Sequence, residues 1–196
     1  MSVIRRLATW SITLLMIIGT VVLGRYIIDT TPIGSDHRRP YIHTGPVGEP
    51  VDAGPIEVTV LSVRGGRIID DFLSPVVTDG LFVVVKLRVA ATDARAHLGY
   101  AAIRDARDNW YEAATDTPLL GWTLQPRIPI EGEVILELPL AAAQGPLTLR
   151  LSSYTGSTHA YQVVADIPLE IDPSDVDDWY RDDEPLTPMT PEVAAA

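Results

Sequence analysis

The sequence predicts an all-β domain, an antiparallel β-sandwich, carried behind a single N-terminal transmembrane helix. Three observations lead there. Between residues 55 and 171 apolar and polar residues alternate with period two in seven or eight short runs, spaced roughly 8–12 residues apart. No amphipathic helical pattern follows residue 28. Leu7 to Gly24 (LATWSITLLMIIGTVVLG) is a run of 18 uncharged, mostly apolar residues, which at ~1.5 Å per residue comes close to the ~30 Å thickness of a bilayer core.

In chain order, residues 1–28 read as a cytoplasmic N-terminus and signal anchor that meets the lipid bilayer through Leu7 to Gly24. Arg5 and Arg6 precede the apolar run and Arg25 follows directly, with no small-x-small site for cleavage between them. The competing reading is a signal peptide whose removal releases a secreted body. The run is apolar all round, unlike a one-sided soluble helix. Arginines on both sides leave the positive-inside count nearly even. The Pro-rich, acidic, lysine-poor body breaks the tie towards an exoplasmic domain.

Residues 29–54 hold Pro and Gly too densely for a repeating hydrogen-bond pattern and read as a stalk. The sandwich is expected over 55–171. Ile56, Val58 and Val60 open it, with turns expected at Gly65-Gly66 and Asp79-Gly80. Val83, Val85, Leu87 and Val89 form one face of the strongest strand, and Lys86 and Arg88 mark its wetter face. Asp105 to Asn109 is a turn tolerant of left-handed backbone. Val134 to Leu140, Leu147 to Leu151 and Tyr161 to Leu169 supply further inward rows, and Trp110-Tyr111 and Trp122 read as core. Residues 172–196 form an acidic tail: seven acids from Asp172 to Glu184 surround Arg181, and Pro185, Pro188 and Pro191 follow. Such a composition predicts disorder beyond about Arg181.

Charge and composition exclude several function classes. The chain of 196 residues carries a net charge of −11, which divides into +3 over residues 1–40 and −14 over the remainder. That body repels phosphate backbones, so no nucleic-acid partner is expected. With no cysteine, disulfides, thiolate nucleophiles and thiolate metal sites are excluded. His37, His43, His97 and His159 lack ligand spacing and read as solvated loop residues. Asp172 to Asp178 lacks the Gly and Glu of a calcium loop. Asp70-Asp71 reads as a strand end, and neither Ser152-Ser153 nor Gly156-Ser157 makes a nucleophile elbow. No catalytic residue, metal site or cofactor is expected, and the chain reads as a non-enzyme.

The order of features resembles a known family. The anchor and stalk are followed by E-V-T-V (Glu57 to Val60) and V-V-V-K-L-R-V (Val83 to Val89). The late pair E-G-E-V-I-L-E-L-P-L (Glu131 to Leu140) and G-P-L-T-L-R-L (Gly145 to Leu151) completes the set. This resembles the bacterial telokin-like, immunoglobulin-like family of secreted and membrane-anchored proteins, which includes an immunoprotective extracellular antigen of mycobacteria. It covers roughly Gly48 to Asp172. Glu131 stands where that family has Pro before Gly-Glu, and Asp108-Asn109 where it has a Gly before the aromatic. The resemblance implies an immunoglobulin-like sandwich and a binding or accessory module without a catalytic site.

One element stands apart from the sandwich. Trp179 and Tyr180 lie inside the acid run beside Asp177, Asp178, Asp182 and Asp183. They either fold back on the sandwich edge or form a linear docking motif, and these six residues are the candidate partner-binding site. The expected function is an accessory or protein-interaction subunit at the cell envelope, with an envelope or membrane protein as partner. The alternative is an extracytoplasmic sensor binding a small ligand or metal.

Overall fold

The structure is a computed structural model that describes residues 39–70, 74–114, 117–154 and 162–194, together with residues 16, 19, 20, 23 and 25. It divides into a unit over Met1–Arg39 and a unit over Pro40–Ala196. In the first, the five described residues before Arg39 are helical, and the Thr20 hydroxyl donates to the Met16 carbonyl at 2.8 Å. Among the described residues no helix is long and apolar enough to cross a membrane. Most of the expected span Leu7 to Gly24 lies outside them.

In the second unit, alternation sorts side chains into a core between two five-stranded sheets. One sheet has the order β12-β9-β4-β3-β2, built from β2 (Val51–Asp52), β3 (Ile56–Asp70), β4 (Pro75–Ala91), β9 (Ile130–Leu138) and β12 (Glu192–Val193). The other has the order β1-β11-β10-β6-β7, from β1 (Tyr41–Thr44), β6 (Tyr100–Arg104), β7 (Trp110–Glu112), β10 (Leu147–Ser152) and β11 (Val163–Leu169). A two-stranded piece pairs β5 (Ala96–His97) with β8 (Thr123–Leu124), and a single helical turn α1 (Leu140–Ala143) follows β9. Val83, Val85, Leu87 and Val89 face Ile103, Leu149, Leu151 and Ile167 in one buried cluster. Each such side chain withdrawn from water is worth ~1.5–3 kcal/mol. This is the all-β sandwich that the period-two pattern predicts.

Several expectations are corrected. Gly65-Gly66 and Asp79-Gly80 do not reverse the chain: Gly65 and Gly66 pair with Val83 and Phe82 inside β3, and Asp79-Gly80 lies within β4 in the stretch between Val77 and Phe82 that bulges away from β3, a second bulge falling between Val60 and Ser62. Adjacent glycines here admit other parts of the chain instead of reversing it. The sheets are not wholly antiparallel, since β1 runs parallel to β11. The stalk expected over 29–54 contributes β1 to one sheet and β2 to the other. Gly48 N–H donates to the Val60 carbonyl at 2.9 Å. Trp110 and Trp122 are 37% and 42% exposed, so neither is a core residue. The tail beyond Arg181 is ordered as far as residue 194. It follows α2 (Pro173–Arg181) and consists of a crossing segment and β12.

Candidate functional site

The six candidate residues divide by chemistry. Asp172 caps α2, its carboxylate accepting from Ser174 N–H at 2.8 Å and from the Ser174 hydroxyl at 2.6 Å, and Pro173 occupies the first turn. Those bonds hold the Asp172 carboxyl below its ordinary value, and they make the calcium-loop candidate a helix start. Val176, Trp179 and Tyr180 then share one helix face at i, i+3 and i+4. Val176 is buried in the core, Trp179 and Tyr180 pack against it, and the Arg67 guanidinium lies 4.9 Å from the Tyr180 ring. The aromatics therefore fold back onto β3. Asp178, Asp182 and Asp183 remain exposed and Asp177 half-buried, with Arg181 reaching Asp178 at 3.1 Å and Asp177 at 3.8 Å.

Beyond α2 the chain crosses the outer face of the second-unit sheet that holds β3, β4 and β9. Leu186 N–H donates to the Ile68 carbonyl and Asp70 N–H to the Leu186 carbonyl, both at 2.8 Å. The Leu186 side chain packs on Ile69, Phe82 and Val84. Glu133, 5% exposed, accepts from Arg64 at 2.9 Å and from Met189 N–H at 2.8 Å, and Arg64 also donates to the Thr187 carbonyl. The segment ends by pairing with β9, Glu192 opposite Glu131 and Val193 opposite Ile130. Lys86 and Arg88 both bind Glu131, and their hydrogen bonds hold its carboxyl below the usual range. This explains why Phe82 and Val84, on the face marked wetter by Lys86 and Arg88, are buried.

A cleft of about 690 Å³ opens where β4 overruns β9. The β4 segment from Pro75 to Gly80 lies beyond Leu81, the first residue paired with β9. It brings Val77, Thr78 and Asp79 opposite Glu137, Pro139 and Leu140, with Tyr111 also in the wall. Thr78, 6% exposed, donates to Glu137 and accepts from Gly80 N–H at 2.9 Å. Neither Asp79 nor Glu137 has a cationic partner among the described residues, and Val77 is 61% exposed on the rim. The sequence reading missed this place by treating Asp79-Gly80 as a turn. The available signal was the Val76-Val77 pair ahead of it.

The opposite sheet carries a polar network on its outer face. Arg150 binds Asp166 through two bonds of 2.7 and 2.6 Å, with side chains only 13% and 6% exposed. Its guanidinium also lies 4.4 Å from the Trp110 ring, and that of Arg104 lies 5.6 Å away. Tyr100 donates to Glu112 at 3.3 Å, and burial together with Glu112 pushes its hydroxyl up to about 12 against the opposing pull of Arg150.

His43 Nδ1 lies 3.0 Å from the Asp52 carbonyl and His97 is exposed on β5, while His37 and His159 lie outside the described residues. Among the described residues no three metal-ligating side chains converge. Asp70 ends β3, Ser152 is wholly buried with its hydroxyl accepting from Tyr154 N–H, and Asp71 and Gly156-Ser157 lie outside the described residues.

No family model matches the chain, and no curated protein matches it. Among solved structures it is similar to an uncharacterized β-sandwich protein from Clostridium difficile 630, at 9% identity over 67% of this chain and 97% of that one, with a TM-score of 0.47. It is likewise similar to the yjhA protein from Bacillus subtilis, at 16% identity over 64% of this chain and 98% of that one, with a TM-score of 0.47.

Proposed function

We propose that this chain is a non-enzymatic, membrane-anchored, exoplasmic module that serves as an accessory interaction subunit at the cell envelope, in keeping with its resemblance to the telokin-like family. The observation that supports this reading is the rim of the cleft. Val77 is exposed beside Asp79 and Glu137, whose charges no described cation balances. Apolar side chains held next to uncompensated carboxylates suit a partner segment that inserts an aliphatic residue and a Lys or Arg together. An envelope protein carrying such a segment is the proposed partner.

The test is crosslinking in intact cells followed by purification from mild detergent, comparing the full chain with a Val77→Asp, Glu137→Lys variant that retains its melting temperature. One partner recovered with the native chain and lost with the variant is the expected result. Recovery of the protein alone from both overturns the reading. Membrane placement is checked separately by protease accessibility of the body in spheroplasts, where full protection overturns an exoplasmic domain.

A further inference from the structure

Where β4 outruns β9, one side of its main chain is open. In a strand each residue turns its N–H and C=O to one side and the next residue turns them to the other. Leu186 bonds to the Ile68 carbonyl and to the Asp70 N–H, so those two residues of β3 face away from β4. Ile69 between them faces β4 and meets Val76, its partner in the register. Pro75 and Val77 therefore turn their groups to the opposite side, where β9 has already ended with Leu138 opposite Leu81. Pro75 agrees with this direction, since a proline in a strand sits where no N–H is required. On that side lies the cleft, which Val77 lines. The Val77 N–H and C=O have no hydrogen-bond partner among the described residues.

We propose, resting on the cleft as the partner's site, that the opening takes an extended cationic peptide as one further strand. The peptide runs antiparallel to β4 and continues the ladder that β9 makes with it. One peptide residue lies opposite Val77 and exchanges both main-chain bonds with it. Opposed residues share a face, so the side chain of that residue enters the cleft beside Val77, Pro139 and Leu140, where an aliphatic group fits. Two residues earlier the same strand passes Asp79, which lines the cleft together with Glu137. Thr78 holds the Glu137 carboxylate there by a hydrogen bond. Neither carboxylate has a cationic partner among the described residues, which makes Lys or Arg the complement at that position. The recognised pattern is thus Lys or Arg, any residue, then Val, Ile or Leu. A charge on an open edge repels strands that do not answer it. A second copy of this chain is such a strand, because it brings its own Asp79 and Glu137 on a body of −14.

The probe is a fluorescein-labelled peptide of sequence Thr-Lys-Thr-Val-Thr-Thr, titrated by fluorescence anisotropy against the full chain in detergent. N-methylation of its valine removes the N–H given to the Val77 carbonyl and is expected to weaken binding about tenfold. N-methylation of the threonine just before the valine blocks an N–H that points away from β4, and affinity should stay within about twofold. Asp79→Asn with Glu137→Gln, in a variant that retains its melting temperature, is expected to weaken binding at least about tenfold and to flatten its salt dependence. Equal affinity of the two N-methylated peptides overturns strand addition and leaves the cleft as a place where side chains alone dock. Absence of binding by the unmodified peptide, or equal binding to the native chain and the double variant, overturns the proposal. Recovery of a partner by crosslinking in cells is independent of both results, so a failure here is distinguishable from a failure of the cleft as the partner's site.

Discussion

The Trp179 indole lies so close to Gly65 that a β-carbon built on Gly65 would overlap Cε3 and sit 2.9 Å from Cδ2. Trp179 is the means by which α2 closes on β3, and Gly65 is what lets it approach. Gly65→Ala is expected to cost about 1–3 kcal/mol through overpacking, and Trp179→Ala about 2–3 kcal/mol, below the value for a fully buried Trp. The double variant should cost clearly less than the sum, because removing the indole removes the clash. Urea unfolding of the four proteins reads this directly, and strict additivity would show that the two residues do not share a contact.

Leu186 plays the same part on the other face of β3, where a β-carbon on Gly66 would meet its Cγ at 3.0 Å. Truncation after Asp183 removes Leu186 together with the Arg64, Glu133 and β9 contacts of the crossing segment. It is expected to lower the melting temperature and bind a hydrophobic dye through the uncovered Phe82 and Val84. Leu186→Ala alone should cost about 2 kcal/mol, at the low end for Leu→Ala because Leu186 is only partly buried. An unchanged melting temperature after truncation would mean that the segment does not rest on the sheet in solution.

These two contacts also explain what the sequence showed and what it hid. The faces of β4, β9 and β10 were legible because each alternate residue meets either the core or solvent, and burial acts on every position. Glycine in a strand is ambiguous between reversal and close approach. Gly65-Gly66 by itself predicts reversal, and only the distant Trp179 and Leu186 show otherwise. In the tail the acids dominate the composition and predict disorder, which hides the helix. Asp172-Pro173 as helix start and Val176, Trp179 and Tyr180 at i, i+3, i+4 were present but few. The Val77 cleft was hidden for a different reason. It arises where β4 outruns β9, and relative strand length is a property of pairing that no single segment encodes.

Arg150 and Asp166 are the most enclosed ion pair among the described residues, and removing one partner leaves the other without an equal. Arg150→Met is expected to cost about 3 kcal/mol, because the Asp166 carboxylate stays buried and loses two charge-assisted bonds. Arg150→Met with Asp166→Leu should recover most of that loss. The Trp110 emission should change in both variants, since the cation 4.4 Å from its ring is gone. A single variant as stable as the native chain would mean the pair contributes nothing.

The turn before β7 links stability to acid. The Asp105 carboxylate accepts from the Asn109 side chain at 2.9 Å, from the Asn109 and Arg107 main-chain N–H groups at 2.9 and 2.8 Å, and from the Tyr111 hydroxyl at 3.2 Å. These bonds, that of the Asn109 side chain foremost, hold the carboxyl below its ordinary value against the effect of partial burial. Asp108 takes φ of 68° to complete the turn. A folded pKa below the unfolded one means that the unfolded chain binds more protons between the two values. The stabilisation is thus complete above the unfolded value of about 4 and is lost as pH falls through the folded one. Asp105→Asn is expected to lower the urea midpoint at neutral pH and to narrow its gap from the native chain as pH drops below about 4. Glu131 and Asp172, also depressed, share that window, so both proteins keep some slope there. A gap that stays constant down to the acid limit would show that the Asp105 charge does not support the turn.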